Sequence, residues 1–340
     1  MKKVAVLLFN LGGPLVQADV KPFLYNLFSD KFIIGLPTPF RQIIAKLIST
    51  RREASAQANY RYMGGGSPIV KETEAQARAL EAHLNTTPGI MFKAFIGMRY
   101  WHPFISEAIA DIEAWGADEI VALPLYPQYS TTTSLSSFVT FKATYKGKAP
   151  ISYVCCYPEN SGFTAAYAEN IRSALSGLTD LSSYRLLFSA HGLPEKVISG
   201  GDPYQAQIEA SVSQIMAQLN LAIDHVVSYQ SRVGPLKWIG PSTDETIVVT
   251  VKGGKSPVVV PVAFVSEHIE TLVELDIEYR HLADKHGAKD YIRVPVVGVN
   301  TAFIKGLADE VHKALNTDAD IVADYSCQAC HKQCAKQRGF

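Results

Sequence analysis

Residues 263–279, AFVSEHIETLVELDIEY, carry Glu267, Glu270, Glu274 and Glu278 at spacings of three, four and four, with His268 at the start of the run. On an α-helix those spacings share one face. Ile269, Leu272, Val273 and Ile277 then make the expected apolar stripe opposite. Stacked like charges destabilise a helix, so the pattern asks for a reason. One is a solvated face, but no Lys or Arg stands between Glu267 and Tyr279 to pair with the carboxylates; the first is Arg280. The other is a row of acids that carries protons or holds a cation. That row needs a partner elsewhere in the chain.

The stretch RLLFSAHGLP supplies a candidate. An apolar strand ends at Ser189–Ala190 and presents His191, followed by the rigid turn Gly192–Leu193–Pro194. A lone histidine is more often structural, yet the rim beyond a buried strand is where α/β proteins bind ligands. A hydrolase built on Ser189 and His191 is disfavoured, because the two are only two residues apart and lack a nucleophile elbow. The strand before the glutamate run ends at a similar rim, so His191 and Glu270 can face each other across one cleft.

Three glycine-rich turns accompany these residues: NLGGP (10–14), YRYMGGGSP (60–68) and SRVGPLKWIGP (231–241). No Walker pattern or complete G-x-G-x-x-G is present, which weakens a nucleotide reading. Close backbone approach to a flat ligand is the alternative. Tyr60, Tyr62, Tyr100, Trp101, Tyr126, Tyr129, Trp238 and Phe264 crowd the same loops. Singly each reads as packing or surface. Together they suit a large, apolar, planar substrate.

Positioning such loops calls for a strand–helix scaffold. Apolar runs at 4–9, 91–97, 120–125, 151–156, 184–190, 225–229, 258–263 and 292–297 read as strands. Helical patterns fall near 17–28, 38–58, 69–84, 104–115, 163–177, 203–219, 267–286 and 301–315. Continuous apolar strands alternating with helices predict parallel sheets covered on both faces. The expected fold class is α/β, with two Rossmann-like domains, each a four-stranded parallel sheet flanked by helices. The expected divisions are 1–150, 151–316 and a cysteine-containing tail, 317–340, with TYKGKAP (144–150) as the junction. The halves echo one another faintly, each placing an Arg, a Pro-containing turn and an acidic helix start near a Pro-interrupted apolar strand.

A chain of 340 residues is long enough for two full cores, and its zero net charge removes any bulk electrostatic case for nucleic acid. No apolar run reaches membrane-spanning length. Lys2 and Lys3 before Val4–Phe9 imitate a signal peptide, but the apolar run is short and lacks a small-residue cleavage site. It reads as a buried first strand in a cytoplasmic protein. Five cysteines in a reducing compartment are not a disulfide framework.

The stretches NLGGP, YRYMGGGSPI, MRYWHP, YPQYS, SAHGLP, GDPY, SRVGPLKWIGPSTDE and SEHIETLVELDIEY lie in that order between residues 10 and 279. In that series the chain resembles the ferrochelatases, which insert ferrous iron into a porphyrin. The resemblance implies the chelatase-type two-domain fold and the last step of haem biosynthesis, with protoporphyrin IX and Fe²⁺ as substrates and two pyrrole protons released. It implies His191 and Glu270 as the catalytic pair across the macrocycle, both contacting the iron, with His191 as the proton acceptor. Glu274, Glu278 and His268 would continue a proton and metal path. Leu11, Tyr60, Arg99, Tyr100, Trp238 and Phe264 match ring- or propionate-facing positions. Alternatives are a chelatase for coproporphyrin or another tetrapyrrole, and a non-catalytic haem or iron–sulfur binding protein.

CQACHKQC places Cys327, Cys330 and Cys334 in the tail. CQACH formally matches c-type haem attachment, which occurs after export. A zinc site with His331 or another cysteine is a second reading. The resemblance implies a third: a [2Fe–2S] cluster, found in some ferrochelatases, with three ligands in such a C-terminal run and one internal. Thr131 occupies the internal position used in animal-type sequences. Cys155 and Cys156 of YVCCYP are the substitutes, and Cys156 is preferred. Residues 32–46, FIIGLPTPFRQIIAK, read either as a buried loop and helix or as an exposed lip that admits a lipophilic porphyrin and touches the inner membrane peripherally. A homodimer is a further expectation.

Overall fold

The computed structural model describes residues 1–232, 234 and 236–340; Val233 and Pro235, part of the SRVGP turn noted above, lie outside the described residues. The chain forms two compact units. One comprises Met1–Cys156, Ala308–Ala323 and Gly339–Phe340, the other Tyr157–Leu307 and Asp324–Arg338.

The first unit is built on β1 (Lys2–Asn10), β2 (Ile90–Met98), β3 (Glu119–Pro124) and β4 (Ile151–Val154). Val4 to Phe9 are all fully buried, as expected of a strand covered on both faces. Helices α1 (Val20–Phe28), α2 (Thr38–Arg61), α3 (Ile69–Leu84), α4 (Ile105–Trp115) and α5 (Ser136–Thr144) belong to this unit. Phe138 and Phe141 of α5 meet Phe9 edge-on at 6.0 and 5.8 Å.

The second unit is built on β5 (Tyr184–His191), β6 (Asp224–Gln230), β7 (Ser256–Val260) and β8 (Ile292–Arg293). Its helices are α6 (Ser161–Leu175), α7 (Glu195–Ser199), α8 (Tyr204–Leu219), α9 (Thr243–Lys252) and α10 (Tyr279–Lys285). Helix α11 (Thr301–Leu315) starts in this unit and ends in the first. All strand pairs are parallel, in the orders β2-β1-β3-β4-β9 and β6-β5-β7-β8.

The first sheet therefore has five strands where four were expected. The extra one, β9 (Ile321–Val322), comes from the tail and lies beside β4. Two residues in a polar segment carry no alternation to betray a strand. β4 itself lies beyond residue 150, and the chain leaves the first unit after Cys156. β8 stops at Arg293 although the apolar run continues to Val297, because Pro295 has no N–H to offer a ladder.

Helix α9 was not anticipated. Its sequence, TDETIVVTVK, is rich in β-branched residues that favour strands. Asp244 and Glu245 in its first turn complement the helix dipole, and Gly253 ends it. Ile247 and Val251 join the core with Leu187 and Val259, so tertiary packing overrides propensity.

Two glycines let α6 and the start of α11 approach closely. A Cβ on Gly162 would strike the Ala302 carbonyl oxygen, and one on Gly306 would strike the Asn160 side chain. Asn160 also caps α6, accepting from the Gly162 and Phe163 amides, and donates to the Gly306 carbonyl at 3.1 Å. Gly162→Ala is expected to destabilise the protein by about 1–3 kcal/mol through overpacking. Urea titration checks this.

The segment 32–46 is not the buried loop and helix of the first reading. Phe40 and Ile43 on α2 are 63% and 66% exposed, and Ile33, Leu36 and Leu47 are exposed as well. Among the described residues no helix is long and apolar enough to cross a membrane.

Candidate functional site

β5 and β6 end together: His191, the last residue of β5, is paired in register with Gln230, the last of β6. Their side chains emerge at the carboxyl edge of the second sheet. Beyond β7 the chain turns through Phe264 and enters a helix from the same edge. The Tyr167 hydroxyl fixes that turn by donating to the Pro261 and Phe264 carbonyls at 2.7 and 2.5 Å.

The helix that follows is not α-helical where the glutamates lie. Glu270–Glu278 is a π-helix, closed by the Tyr279 amide donating to the Glu274 carbonyl five residues back. Nine residues is long for this form, which occurs mostly as single-turn bulges, frequently at functional sites. The wider winding changes the faces. Thr271, Val273, Leu275 and Tyr279 are the buried positions, while Ile269, Leu272 and Ile277 are only partly covered. Of the four glutamates, Glu270 and Glu274 point to the strand ends. Glu267 turns away to Arg293, and Glu278 is exposed.

His191 Nδ1 lies 2.9 Å from Glu270 Oε2. The two were expected to face one another across a macrocycle; here they touch directly and form one imidazole–carboxylate pair. An ionised carboxylate only accepts, so Nδ1 carries the proton and donates it to Glu270, leaving Nε2 as the acceptor. Gln230 Nε2 donates to Glu270 Oε2 at 3.3 Å and to Glu274 Oε2 at 3.5 Å. Ser231 binds Glu274 twice, with its amide at 3.0 Å and its hydroxyl at 2.5 Å. The Tyr279 hydroxyl adds a third donor to Glu274 at 3.0 Å.

Burial works against charge on His191, but the facing Glu270 outweighs it and lifts the imidazole above its ordinary range. Burial also opposes the Glu270 anion; the charge and hydrogen bond of His191, aided by His268 and Gln230, hold the carboxyl well below the usual range. Glu274 is shifted upward by burial and by the Glu270 charge beside it. The two adjacent carboxyls thus have proton affinities pushed in opposite directions. His268 is buried, and burial lowers its pKa. Its Nδ1 donates to the Ser266 carbonyl at 3.1 Å, and its ring rests 4.5 Å from that of Phe264.

Sequence reasoning missed Gln230, Ser231 and Ser189. The Ser189 hydroxyl donates to Gln230 Oε1 at 2.7 Å and contacts Thr243 at 2.9 Å, so a buried polar chain orients the Gln230 amide. Ser231 has φ +63°, which is uncommon for a residue with a side chain. That strained turn aims both its amide and its hydroxyl at Glu274. A run such as YQSR carries no periodicity that would flag these roles. Gln230→Met is expected to lower turnover roughly tenfold, in the range for residues that orient a site's reactive groups. Steady-state kinetics beside a thermal melt would separate this from unfolding.

Trp238 stands beside Gly192 and bridges to Pro194. A Cβ on Gly192 would sit 3.4 Å from the Trp238 ring and 2.8 Å from the Gln230 carbonyl, so only glycine fits. The 192–195 and 237–239 segments are tied by the Ile239 amide to the Leu193 carbonyl and the Glu195 amide to the Lys237 carbonyl. Tyr204 of GDPY is buried, and its hydroxyl is hydrogen-bonded by the His191 backbone.

In the first unit, Leu11, Arg99 and Tyr100 lie just past the ends of β1 and β2, and the Tyr100 amide donates to the Leu11 carbonyl at 3.0 Å. Asp30, which sequence reasoning also missed, organises them. It accepts from Arg99 Nη2 at 2.9 Å, from the Tyr100 hydroxyl at 2.7 Å and from the Ser136 hydroxyl. Burial and the Asp30 charge keep Tyr100 protonated as a donor. Arg99 retains an opening to a cavity of about 310 Å³ lined by Asn26, Ser29, Ser106 and Thr140. Tyr60, at the end of α2, is buried.

Cys155 and Cys156 are fully buried after β4. Cys334 is buried, Cys327 is partly covered beside Gln207 Nε2 at 3.5 Å, and Cys330 is exposed. Among the described residues no three His, Cys, Asp or Glu side chains are grouped so as to hold a metal ion.

The ferrochelatase family model matches residues 3–315. A ferrochelatase from Caulobacter vibrioides is 51% identical over 343 residues, covering 99% of both chains. One from Phenylobacterium zucineum is 51% identical over 339 residues with the same coverage, and one from Hyphomonas neptunium is 50% identical over 317 residues, covering 92% of this chain and 88% of its own. Among solved structures, the sirohydrochlorin chelatase SirB from Bacillus subtilis subspecies spizizenii with cobalt aligns at TM-score 0.57 and 10% identity, covering 94% of this chain and 97% of that one. SirB from Bacillus subtilis with Fe³⁺ aligns at 0.53 and 12%, covering 93% and 96%. At such identities these two speak for the fold alone.

Proposed function

This chain belongs to the ferrochelatase family, and from that premise we infer that its chemistry is centred on the imidazole–carboxylate group at the ends of β5 and β6. The family makes it a metal–tetrapyrrole chelatase, a lyase that inserts iron into a porphyrin in haem synthesis. That sets aside the non-catalytic alternative.

Insertion must strip two pyrrole protons and bring a dication to the same nitrogens. The observation that carries our reading is the 2.9 Å contact between His191 and Glu270. His191 Nε2 accepts a pyrrole proton, and the imidazolium so formed is stabilised by the Glu270 anion. The same two groups suit transient contact with incoming Fe²⁺. Glu274, raised in proton affinity and held in place by hydrogen bonds from Ser231, Gln230 and Tyr279, takes the proton onward, and exposed Glu278 releases it to water. Charge is conserved: Fe²⁺ enters and two H⁺ leave. Trp238, beside Gly192, and Phe264, against His268, are proposed to contribute ring contacts from the second unit. Leu11, Tyr60, Arg99 and Tyr100 are proposed to contribute the ring and propionate contacts of the first.

We take the porphyrin to be protoporphyrin IX. The exposed apolar residues 32–46 support a substrate with an apolar edge; coproporphyrin, with four carboxylates, is the alternative. The same surface, bordered by Lys31, Lys46, Arg51 and Arg52, supports peripheral contact of a cytoplasmic protein with an anionic membrane. Cosedimentation with anionic vesicles, lost in Phe40→Ser/Ile43→Ser, is the expected result. Self-association in the absence of lipid would assign the surface to a homodimer. For the tail, the C-x₂-C-x₃-C spacing of Cys327, Cys330 and Cys334 is what supports a [2Fe–2S] site. Visible absorption and iron content of fresh protein test it, and bound zinc without colour would favour the runner-up.

The direct experiment supplies protoporphyrin or coproporphyrin with Fe²⁺, or Zn²⁺ as a stable surrogate, anaerobically, and follows the porphyrin bands. Faster turnover of protoporphyrin is expected. A preference for coproporphyrin would overturn the substrate assignment and leave the insertion chemistry standing.

A further inference from the structure

Arg293, on β8, is nearly buried and reaches the π-helix with both arms. Its Nη1 donates to Glu267 Oε1 and its Nε to Asp276 Oδ1, each at 2.8 Å. Those partners are nine residues apart in sequence and bracket Glu270 and Glu274. Glu267 stands in the approach to the helix, three residues before the π segment begins, and Asp276 lies within that segment. One guanidinium therefore ties the approach to the π segment itself. The neighbouring Tyr291 strengthens the grip, its hydroxyl donating to the Leu275 carbonyl at 2.5 Å. The Arg280 guanidinium donates back to the Tyr291 carbonyl at 3.0 Å.

The register matters for the carboxylates between the clamped ends. In the π form Glu270 meets His191 and Gln230, and Glu274 meets Ser231 and Tyr279. Rewinding to the α form would rotate each residue by about 20° more than the π form does, and the difference would accumulate along the segment. Glu274 would then leave the Ser231 amide, and its spacing from Glu270 would change.

We propose that Arg293 is a positioning residue for metal insertion: its two ion pairs pin the approach residue Glu267 and Asp276 of the π segment, fixing the placement of the segment that presents Glu270 and Glu274 to the strand ends. The inference rests on reading Glu270 and Glu274 as groups of the insertion site. Arg293 acts through the placement of that segment.

The test compares Arg293→Met, Arg293→Lys and Asp276→Asn with the wild-type chain, using protoporphyrin and Zn²⁺. Porphyrin binding stoichiometry, Tm, kcat and KM for the metal are measured together. Arg293→Met is expected to keep one porphyrin site per chain while kcat falls roughly 10- to 100-fold and the metal KM rises. Arg293→Lys, which can reach one carboxylate but not both, recovers part of the loss. Asp276→Asn leaves the Glu267 pair intact and shows the same split in smaller measure, so a failure of Arg293→Met to fold does not remove the test. Wild-type kcat and metal KM in Arg293→Met or Asp276→Asn would overturn the proposal. So would a fall in kcat matched by an equal fall in porphyrin sites, which is loss of folded protein only. His191→Ala and Glu270→Gln run alongside: full activity in both would defeat the site reading itself, whereas their inactivity beside an active Arg293→Met defeats the Arg293 inference alone.

Discussion

His191→Ala is expected to lower metal insertion roughly 10²- to 10⁴-fold, the range a positioned general base contributes, with little change in stability. The reason lies in the tautomer. Glu270 accepts a hydrogen bond from the protonated Nδ1, so Nε2 is the acceptor at the end of β5. Alanine removes that acceptor and the countercharge Glu270 was arranged to meet. The His191 side chain is 38% exposed, so truncation opens no closed cavity and the sheet edge stays intact. Porphyrin binding persists because the apolar and aromatic contacts remain. Initial rates with Zn²⁺ and protoporphyrin, beside a porphyrin-binding titration, measure this. Turnover within a few-fold of wild type would remove His191 as the base.

Glu270→Gln produces a loss of a different kind, expected at roughly 10- to 100-fold, which corresponds to one hydrogen bond to a charged group of about 1.5–3 kcal/mol. Here the pH profile is diagnostic. The base must be neutral to accept a proton, so activity falls on the acid side as His191 becomes protonated. In the wild type Glu270 raises the His191 pKa, which places that acid limb above the ordinary histidine range. Removing the carboxylate charge lowers the pKa, so the acid limb shifts to lower pH while the plateau drops. Glu274 should respond as well. The charge beside it contributes to its raised proton affinity, so Glu274 becomes easier to ionise in the variant. A profile that merely scales down, with its limb unmoved, would mean that Glu270 does not govern the imidazole.

The two-unit α/β scaffold was legible because buried parallel strands are written as unbroken apolar runs. Val4–Phe9 and residues 184–190 could hardly be anything else. His191 was legible because it follows such a strand directly, and the glutamates because four acids at helical spacing are costly. The helix α9 was not legible, since its β-branched residues favour strands until Asp244, Glu245 and the core around Ile247 are considered together. β9 was not legible either, because two residues carry no pattern. Tail cysteines at metal-ligand spacing were visible at once, yet among the described residues their side chains do not converge on a site.

By itself the sequence determined which residues could do the chemistry and which strand and helix would carry them, because hydrophobic period and residue type are local properties. The tertiary structure decided how those residues meet. Although all four glutamates have α-helical spacing, Glu267 stands before the helix and pairs with Arg293, while contacts from Arg293 and Tyr291 hold the π segment that carries Glu270 and Glu274. The parallel pairing of β5 with β6 places Gln230 beside His191, far away in sequence, and turns a lone histidine and a row of acids into one hydrogen-bonded group. Helical winding and strand register depend on partners distant in sequence, and a local reading does not contain them.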